Sequence, residues 1–215
     1  MKTILLKDAV ALIPDGASVM IGGFMGVGTP ERLVDELVRQ GKRNLTVIAN
    51  DNALPGIGIG KLVSAGAVRK TIASHIGLNP ETQKKMLAGE LEVELVPQGT
   101  LIERIRAGGF GLGGVLTPTG IGTVVEKGKQ RIEVEGKPYL LETALRADFA
   151  LVQAFLADYV GNLYYALTAR NFNPVMAMAA DTVIVDAENI VPVGVISPDQ
   201  VVTPAPVVDY IISHA

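Results

Sequence analysis

Residues 15–30, DGASVMIGGFMGVGTP, constrain the fold more tightly than any other stretch of the chain. An Asp-Gly turn leads into a short apolar run, 18–21, then a glycine-rich loop, then Thr29-Pro30. Thr before Pro predicts an N-cap with proline at the first helical position, where a missing N–H costs nothing. The amphipathic segment 31–40 continues that helix, so the order is strand, glycine loop, helix. Such a loop either lets backbone amides crowd around a polar ligand beside a helix N-terminus or is a tight turn with no ligand; composition does not choose between them. The spacing Gly22-Gly23-x-x-Gly26-x-Gly28 departs from G-x-G-x-x-G. Asp51, the nearest acidic residue, does not close a second strand in the expected way, which weakens a nicotinamide reading.

The same unit recurs along the chain. Residues 45–49 and 70–74 read as strands, with a glycine-diluted, poor helix at 56–64 between them. Asn79-Pro80 caps a helix to about residue 88, and 92–96 is a fourth strand. Thr100-x-x-Glu103 reads as a capping box opening the next helix, 101–107, which Gly108-Gly109 ends. Strands alternating with helices predict an open, mostly parallel, doubly wound α/β sheet. The residues just after parallel strands lie along one edge, where such sheets bind ligands. That edge would carry the loop 22–28, Asn50-Asp51, His75 and Gln98.

The second half differs. Residues 108–122, rich in glycine and threonine, are too long for a simple turn and are expected to cover or line something. A hairpin is expected over 131–141 around Glu135-Gly136. Strands follow at 149–154 and 182–186, with an Asn173-Pro174-capped helix, 175–180, between them. Apolar residues alternate from 201 to 213. No linker or repeat divides the chain, so residues 1–215 read as one domain.

Composition excludes several classes of function. A net charge of −3 offers no footprint for nucleic acid or an anionic membrane. With no cysteine there is no disulfide framework, thiolate nucleophile or thiolate metal site. The N-terminal MKTILLKDAVALIPDG reads as the first element of the fold rather than a signal peptide, and no apolar run approaches a membrane span. A cytoplasmic location is expected. Gly56 to Lys61, GIGIGK, imitates a P-loop, but Pro55 stands at the first glycine position and Leu62 replaces the Ser/Thr that would hold magnesium. Two histidines, His75 and a penultimate His214, give no metal site. No G-x-S-x-G elbow is present.

Ordered motifs carry a resemblance. DGASVMIGGFMGVGTP, IAND at 48–51, ASHIGLNPET at 73–82, LVPQGTLIERIRAGG at 95–109, LTPTGIGTVVEKGK at 116–129 and ARNFNP at 169–174 together resemble the alpha subunits of family I (3-oxoacid type) CoA-transferases. The resemblance spans nearly the whole chain and is nearest to acetate and butyrate–acetoacetate enzymes. It implies CoA exchange between short-chain acyl-CoA and a carboxylic acid, with CoA a substrate and no permanent cofactor. The nucleophile in that family is a glutamate in a Ser-Glu-Asn-Gly setting on a beta subunit. This chain lacks the motif: its Glu188-Asn189 has Ala187 before it and Ile190 after it, and reads as structural. A beta subunit partner, in an α2β2 assembly, is therefore implied.

By the same resemblance Gln98, in Val96-Pro97-Gln98-Gly99, is the oxyanion and substrate-positioning amide. The segment Gly22, Gly23, Phe24, Met25, Gly26, Val27 and Gly28 is the CoA-associated loop. Asn50 and Asp51 are weaker candidates, because Asx residues after strands often close turns. Arg104 and Arg106 read as the solvated face of a helix, Arg106 being the nearer to the Gly108 loop. Phe110 stands where close relatives carry a small residue, and implies a narrowed acyl pocket or a partner contact. Two other readings stay open: a sugar-phosphate isomerase with a carboxylate at the sheet edge, and a non-catalytic CoA- or nucleotide-binding module.

Overall fold

The computed structural model describes residues 2–213. Its first half runs β1 (Lys2–Ile4), α1 (Leu6–Ala11), β2 (Ser18–Ile21), α2 (Glu31–Arg39), β3 (Leu45–Asp51), α3 (Ile59–Ser64), β4 (Val68–His75), α4 (Pro80–Leu87), β5 (Glu92–Leu95) and α5 (Gln98–Gly109). The second half runs β6 (Gly114–Thr117), β7 (Arg131–Val134), β8 (Lys137–Thr143), β9 (Ala147–Asp158), β10 (Leu163–Tyr164), α6 (Asn173–Met178), β11 (Ala180–Val191) and β12 (Tyr210–Ile212). His214 lies outside the described residues.

The large sheet has the order β1-β12-β11-β9-β2-β3-β4-β5, and all of these pairs are parallel; only β10 joins it antiparallel, beside β9. From β2 the chain builds outward through β3, β4 and β5, then returns to β2's other side with β9. The order thus reverses at the β2–β9 junction, where α/β sheets leave a crevice beyond their carboxyl ends.

Strand alternation divides the core into two layers. Val19, Ile21, Val47 and Leu151 join Leu33, Val34 and Leu37 of α2 on one face. Met20, Ile48, Ala150 and Val152 join Leu101 and Ile105 of α5 on the other. Burial on both faces is why these strands read as continuous apolar runs. The expected hairpin forms as β7 and β8, turning at Glu135 and Gly136 with φ of 50° and 73°; β6 completes a small antiparallel sheet, β6-β8-β7.

Some sequence expectations fail at element ends. Thr29 is not the cap of α2: Pro30 takes that position, with no side-chain cap bond. The capping box does not form. Pro97 starts α5 at Gln98, so Thr100 lies inside the helix with its buried Oγ1 unpartnered, and Glu103 bonds Arg106 at 3.0 Å instead. Asn173 lies within α6 rather than capping it. Asn79 does cap α4, accepting from Thr82 N–H at 2.9 Å. β9 and β11 run well beyond the predicted 149–154 and 182–186, because each is paired along its length with the other.

Candidate active site

Four elements predicted to share one edge do so. β2, β3, β4 and the β5–α5 junction end together, and a cleft of about 1220 Å³ opens above them. Asn50 and Gln98 line it from the sheet; Phe24, Met25 and Val27 line it from the glycine loop. Phe110, Pro174, Val175 and Met178 add further wall, as do Leu167 and Arg170 from the short turn before α6. Phe110 does line this cleft and stays 62% exposed.

Asn50 is the last but one residue of β3 and only 3% exposed, which makes it the floor. Its Oδ1 accepts from Gln98 Nε2 at 2.8 Å and from the Ser74 hydroxyl at 2.9 Å. Gln98 is the first residue of a 12-residue helix and is exposed to the cleft. One of its amide hydrogens is thus engaged with Asn50, and the side chain is oriented while retaining a second donor. The helix N-terminus beneath it favours negative charge.

Most amides of the glycine loop are already engaged within the chain. Gly22 N–H donates to Leu151 O at 3.1 Å, Gly23 N–H to Asn171 Oδ1 at 3.1 Å and Met25 N–H to both Asp51 oxygens at 3.2 Å. Phe24 and Val27 exchange backbone bonds at 3.0 and 2.9 Å around a turn with Met25 and Gly26 at φ of 51° and 88°. Nor is the start of α2 open to an anion, because Glu31 occupies its first turn and accepts from Gly58 N–H and Lys61. The loop presents apolar side chains to the cleft, and its glycines serve close packing. A Cβ on Gly22 would meet Asn173 Oδ1 at 1.8 Å, and one on Gly28 would meet Ala169 O at 2.4 Å.

Asp51 is 2% exposed and does not line the cleft. Burial raises its pKa, against the opposing pull of the Met25 and Ala53 amides and of His75. Its carboxylate holds the lip of the cleft through Met25. His75 ends β4, exposed and off the cleft lining. Arg104 is buried on Glu94 at 3.1 Å and Thr143 O at 2.8 Å, correcting its assignment to a solvated helix face. Glu188 sits in β11, accepting from Gln153 Nε2 at 2.6 Å, away from the cleft. In the P-loop imitation, Lys61 pairs with Glu31 and Asp35 at 2.7 and 2.6 Å.

Sequence reasoning gave no site role to Asn171 or Ser74 and read Asn173 as a helix cap. Asn171, itself a lining residue of the cleft, clamps the loop by donating to Val27 O at 3.0 Å. Asn173 donates to Gly28 O and Ala169 O at 2.9 Å and accepts from Gln153 N–H at 3.0 Å. The motif ARNFNP contained both asparagines.

Fold and site together define an α/β protein with a mostly apolar, amide-floored cleft at a topological switch point. The sequence profile of the Coenzyme A transferase family matches residues 3–214, and the chain belongs to that family. It is 57% identical to the acetate CoA-transferase subunit alpha of Escherichia coli K12, over 98% of this chain and 96% of that one. It is 53% identical to the acetoacetyl-CoA:acetate/butyrate CoA transferase alpha subunit of Clostridium acetobutylicum, over 99% and 98% respectively. Among solved structures, an acyl-CoA transferase of E. coli O157:H7 in a thioester complex with CoA superposes with a TM-score of 0.87 at 23% identity. That superposition covers 98% of this chain and 46% of the E. coli one, so this chain spans under half the length of that protein and the likeness is one of fold. Glutaconate CoA-transferase of Acidaminococcus fermentans gives a TM-score of 0.83 at 22% identity, covering 99% of this chain and 75% of that one. Among the described residues no helix is long and apolar enough to cross a membrane.

Proposed function

We propose that this chain is the alpha subunit of a short-chain acyl-CoA:carboxylate CoA-transferase of the acetate, butyrate or acetoacetate type, acting in the cytoplasm as one unit over residues 1–215. One observation carries the reading. The cleft offers an oriented amide donor, Gln98, yet no Asp or Glu is among its lining residues. Transfer of CoA between acids needs an attacking carboxylate, and the described residues place none there. A beta subunit supplies it, in a complex of two alpha and two beta chains; the alpha-subunit names of the relatives support this division.

In the mechanism, the partner's glutamate attacks the thioester carbonyl, the C–S bond breaks, and CoA leaves as thiolate to give an acyl–glutamyl anhydride. The thiolate then attacks the glutamyl carbonyl and releases the first acid, leaving a glutamyl–CoA thioester. The incoming acid reverses both steps. Gln98 donates to the oxyanion that develops at each addition, and as a neutral amide it does so without pairing with the attacking carboxylate. Loop 22–28 contributes Phe24, Met25 and Val27 to the acyl and pantetheine wall, and Phe110 narrows the same wall. CoA is a substrate, and no permanently bound cofactor is required.

The test is co-expression with the beta subunit. The complex converts acetyl-CoA and butyrate to butyryl-CoA and acetate, and neither chain does so alone. Full exchange by the isolated chain would refute the proposal. Exchange of labelled acetate into acetyl-CoA separates transfer from hydrolysis.

A further inference from the structure

The chain has 22 acidic residues and a net charge of −3, yet among the described residues the only charged ones lining the cleft are the cations Arg106 and Arg170. The two are not equivalent. Arg106 bonds Glu103 at 3.0 Å, so part of its charge is already answered. The Arg170 side chain makes no hydrogen bond or ion pair among the described residues, and its charge bears on the buried Tyr165 hydroxyl, which is itself bonded to Thr203 at 2.8 Å.

The backbone under Arg170 is nevertheless held firmly. Arg170 ends the turn Leu167–Arg170, which starts from a leucine 93% exposed and at φ 47°, a conformation that persists only where neighbours enforce it. The enforcing contacts are Asn173 on Ala169 O at 2.9 Å and Asn171 on Val27 O at 3.0 Å. A fixed stem and an unengaged head leave the guanidinium available to a ligand entering the cleft.

We propose that Arg170 is the anion-recognition residue of this cleft. Its planar fork takes a phosphate or carboxylate that the substrate carries at a distance from its reacting carbonyl. The inference rests on the CoA-transferase reading and deepens it. Two substrate groups share that chemistry: the phosphates of CoA, and the distal carboxylate of a dicarboxylic acyl group. Amides at the floor, mostly apolar walls and an unengaged guanidinium supply the three chemistries that a thioester, a pantetheine arm and a phosphate call for.

The experiment is calorimetric titration of the co-expressed complex, as wild type, Arg170→Met and Arg170→Lys, with CoA, with pantetheine and with succinate. Arg170 has no bond to lose, so an unchanged thermal midpoint is expected in both variants. Arg170→Met is expected to weaken CoA about tenfold and leave pantetheine unchanged, as loss of a charge-assisted contact does. Arg170→Lys is expected to recover part of the loss, because it restores the charge without the fork. A loss confined to succinate also supports the anion site and assigns it to an acyl carboxylate. The proposal is overturned by unchanged CoA and succinate affinities, by an equal loss for pantetheine, or by failure of Arg170→Met to assemble with the beta subunit. Binding is read apart from turnover, so an inactive wild-type complex would sink the transferase reading while still deciding this one.

Discussion

An added methyl group has no room in the wall of the cleft: a Cβ on Gly22, Gly23 or Gly28 would lie 1.8, 2.0 or 2.4 Å from a neighbouring atom. At the floor the situation is reversed. Gln98 is exposed and held by a single bond to Asn50, and a Cβ on Gly99 beside it would meet nothing within 4 Å. The wall is fixed by shape and by backbone hydrogen bonds, so its residues act through folding. Gln98 is fixed by one polar contact to a rigid strand end, so it can act on chemistry at little cost to stability. Positions that look equally glycine-rich and polar in sequence thus fail in different ways when changed.

The contrast can be broken most directly at Gln98. Gln98→Ala should slow CoA exchange by the beta-subunit complex about 10²–10³-fold, the usual effect of removing one oxyanion donor. Its unfolding free energy should stay within about 0.5 kcal/mol of wild type, as for other exposed changes. A parallel loss of stability and rate would make the floor a structural element like the wall. Gly28→Ala tests the opposite side: a carbonyl at 2.4 Å and a φ of 78° together predict a loss of about 2–3 kcal/mol in urea unfolding. If that variant is as stable as wild type but inactive, the glycine serves a ligand and not the packing.

Asn173→Ala removes the buried side chain that joins the loop, α6 and β9. A loss of roughly 2 kcal/mol is expected from the backbone groups left unsatisfied. Its exchange rate per folded molecule should fall less than that of Gln98→Ala.

The smallest effects concern pH, and here two carboxylates differ in sign. Burial raises Asp51, so the folded chain holds that proton more tightly than the unfolded chain. Its contribution to stability falls as pH rises from the ordinary aspartate range through the raised value, and Asp51→Asn should gain relative to wild type over that rise. Burial would also raise Glu94, but Lys70 and Arg104 outweigh it and hold the group below its usual range. That contribution is present at neutral pH and is lost as pH falls through the lowered value. Glu94→Gln should therefore lose relative to wild type at neutral pH, and the difference should shrink on acidification. Denaturant titrations at several pH values would show the two slopes, and equal slopes would erase the distinction.

The chain's order of strands and helices was legible because short apolar runs and period-3.6 patterns are local properties, and each buried strand such as 45–49 announces itself. Asn50, Gln98 and the loop 22–28 could be placed on one edge from that order alone, because parallel strands must end on the same side. Helix starts were less legible. Thr29 and Thr100 have the right residue type for a cap, but the neighbouring prolines set φ and moved each helix start by one or more residues. The burial of Arg104 was misread for a related reason, since its partners Glu94 and Thr143 lie on different elements.

The sequence by itself determined the alternation, the two-faced burial of the strands and the family motifs, all of which depend on residues close together in the chain. Only the tertiary structure decided which polar groups remain available to a ligand. Asn171 reaches Gly23 across 148 residues and takes up an amide that the sequence offered to a ligand, while Arg170 next to it is left unengaged. A hydrogen bond satisfies a donor wherever its acceptor comes from, and distant acceptors can be counted only once the chain has folded.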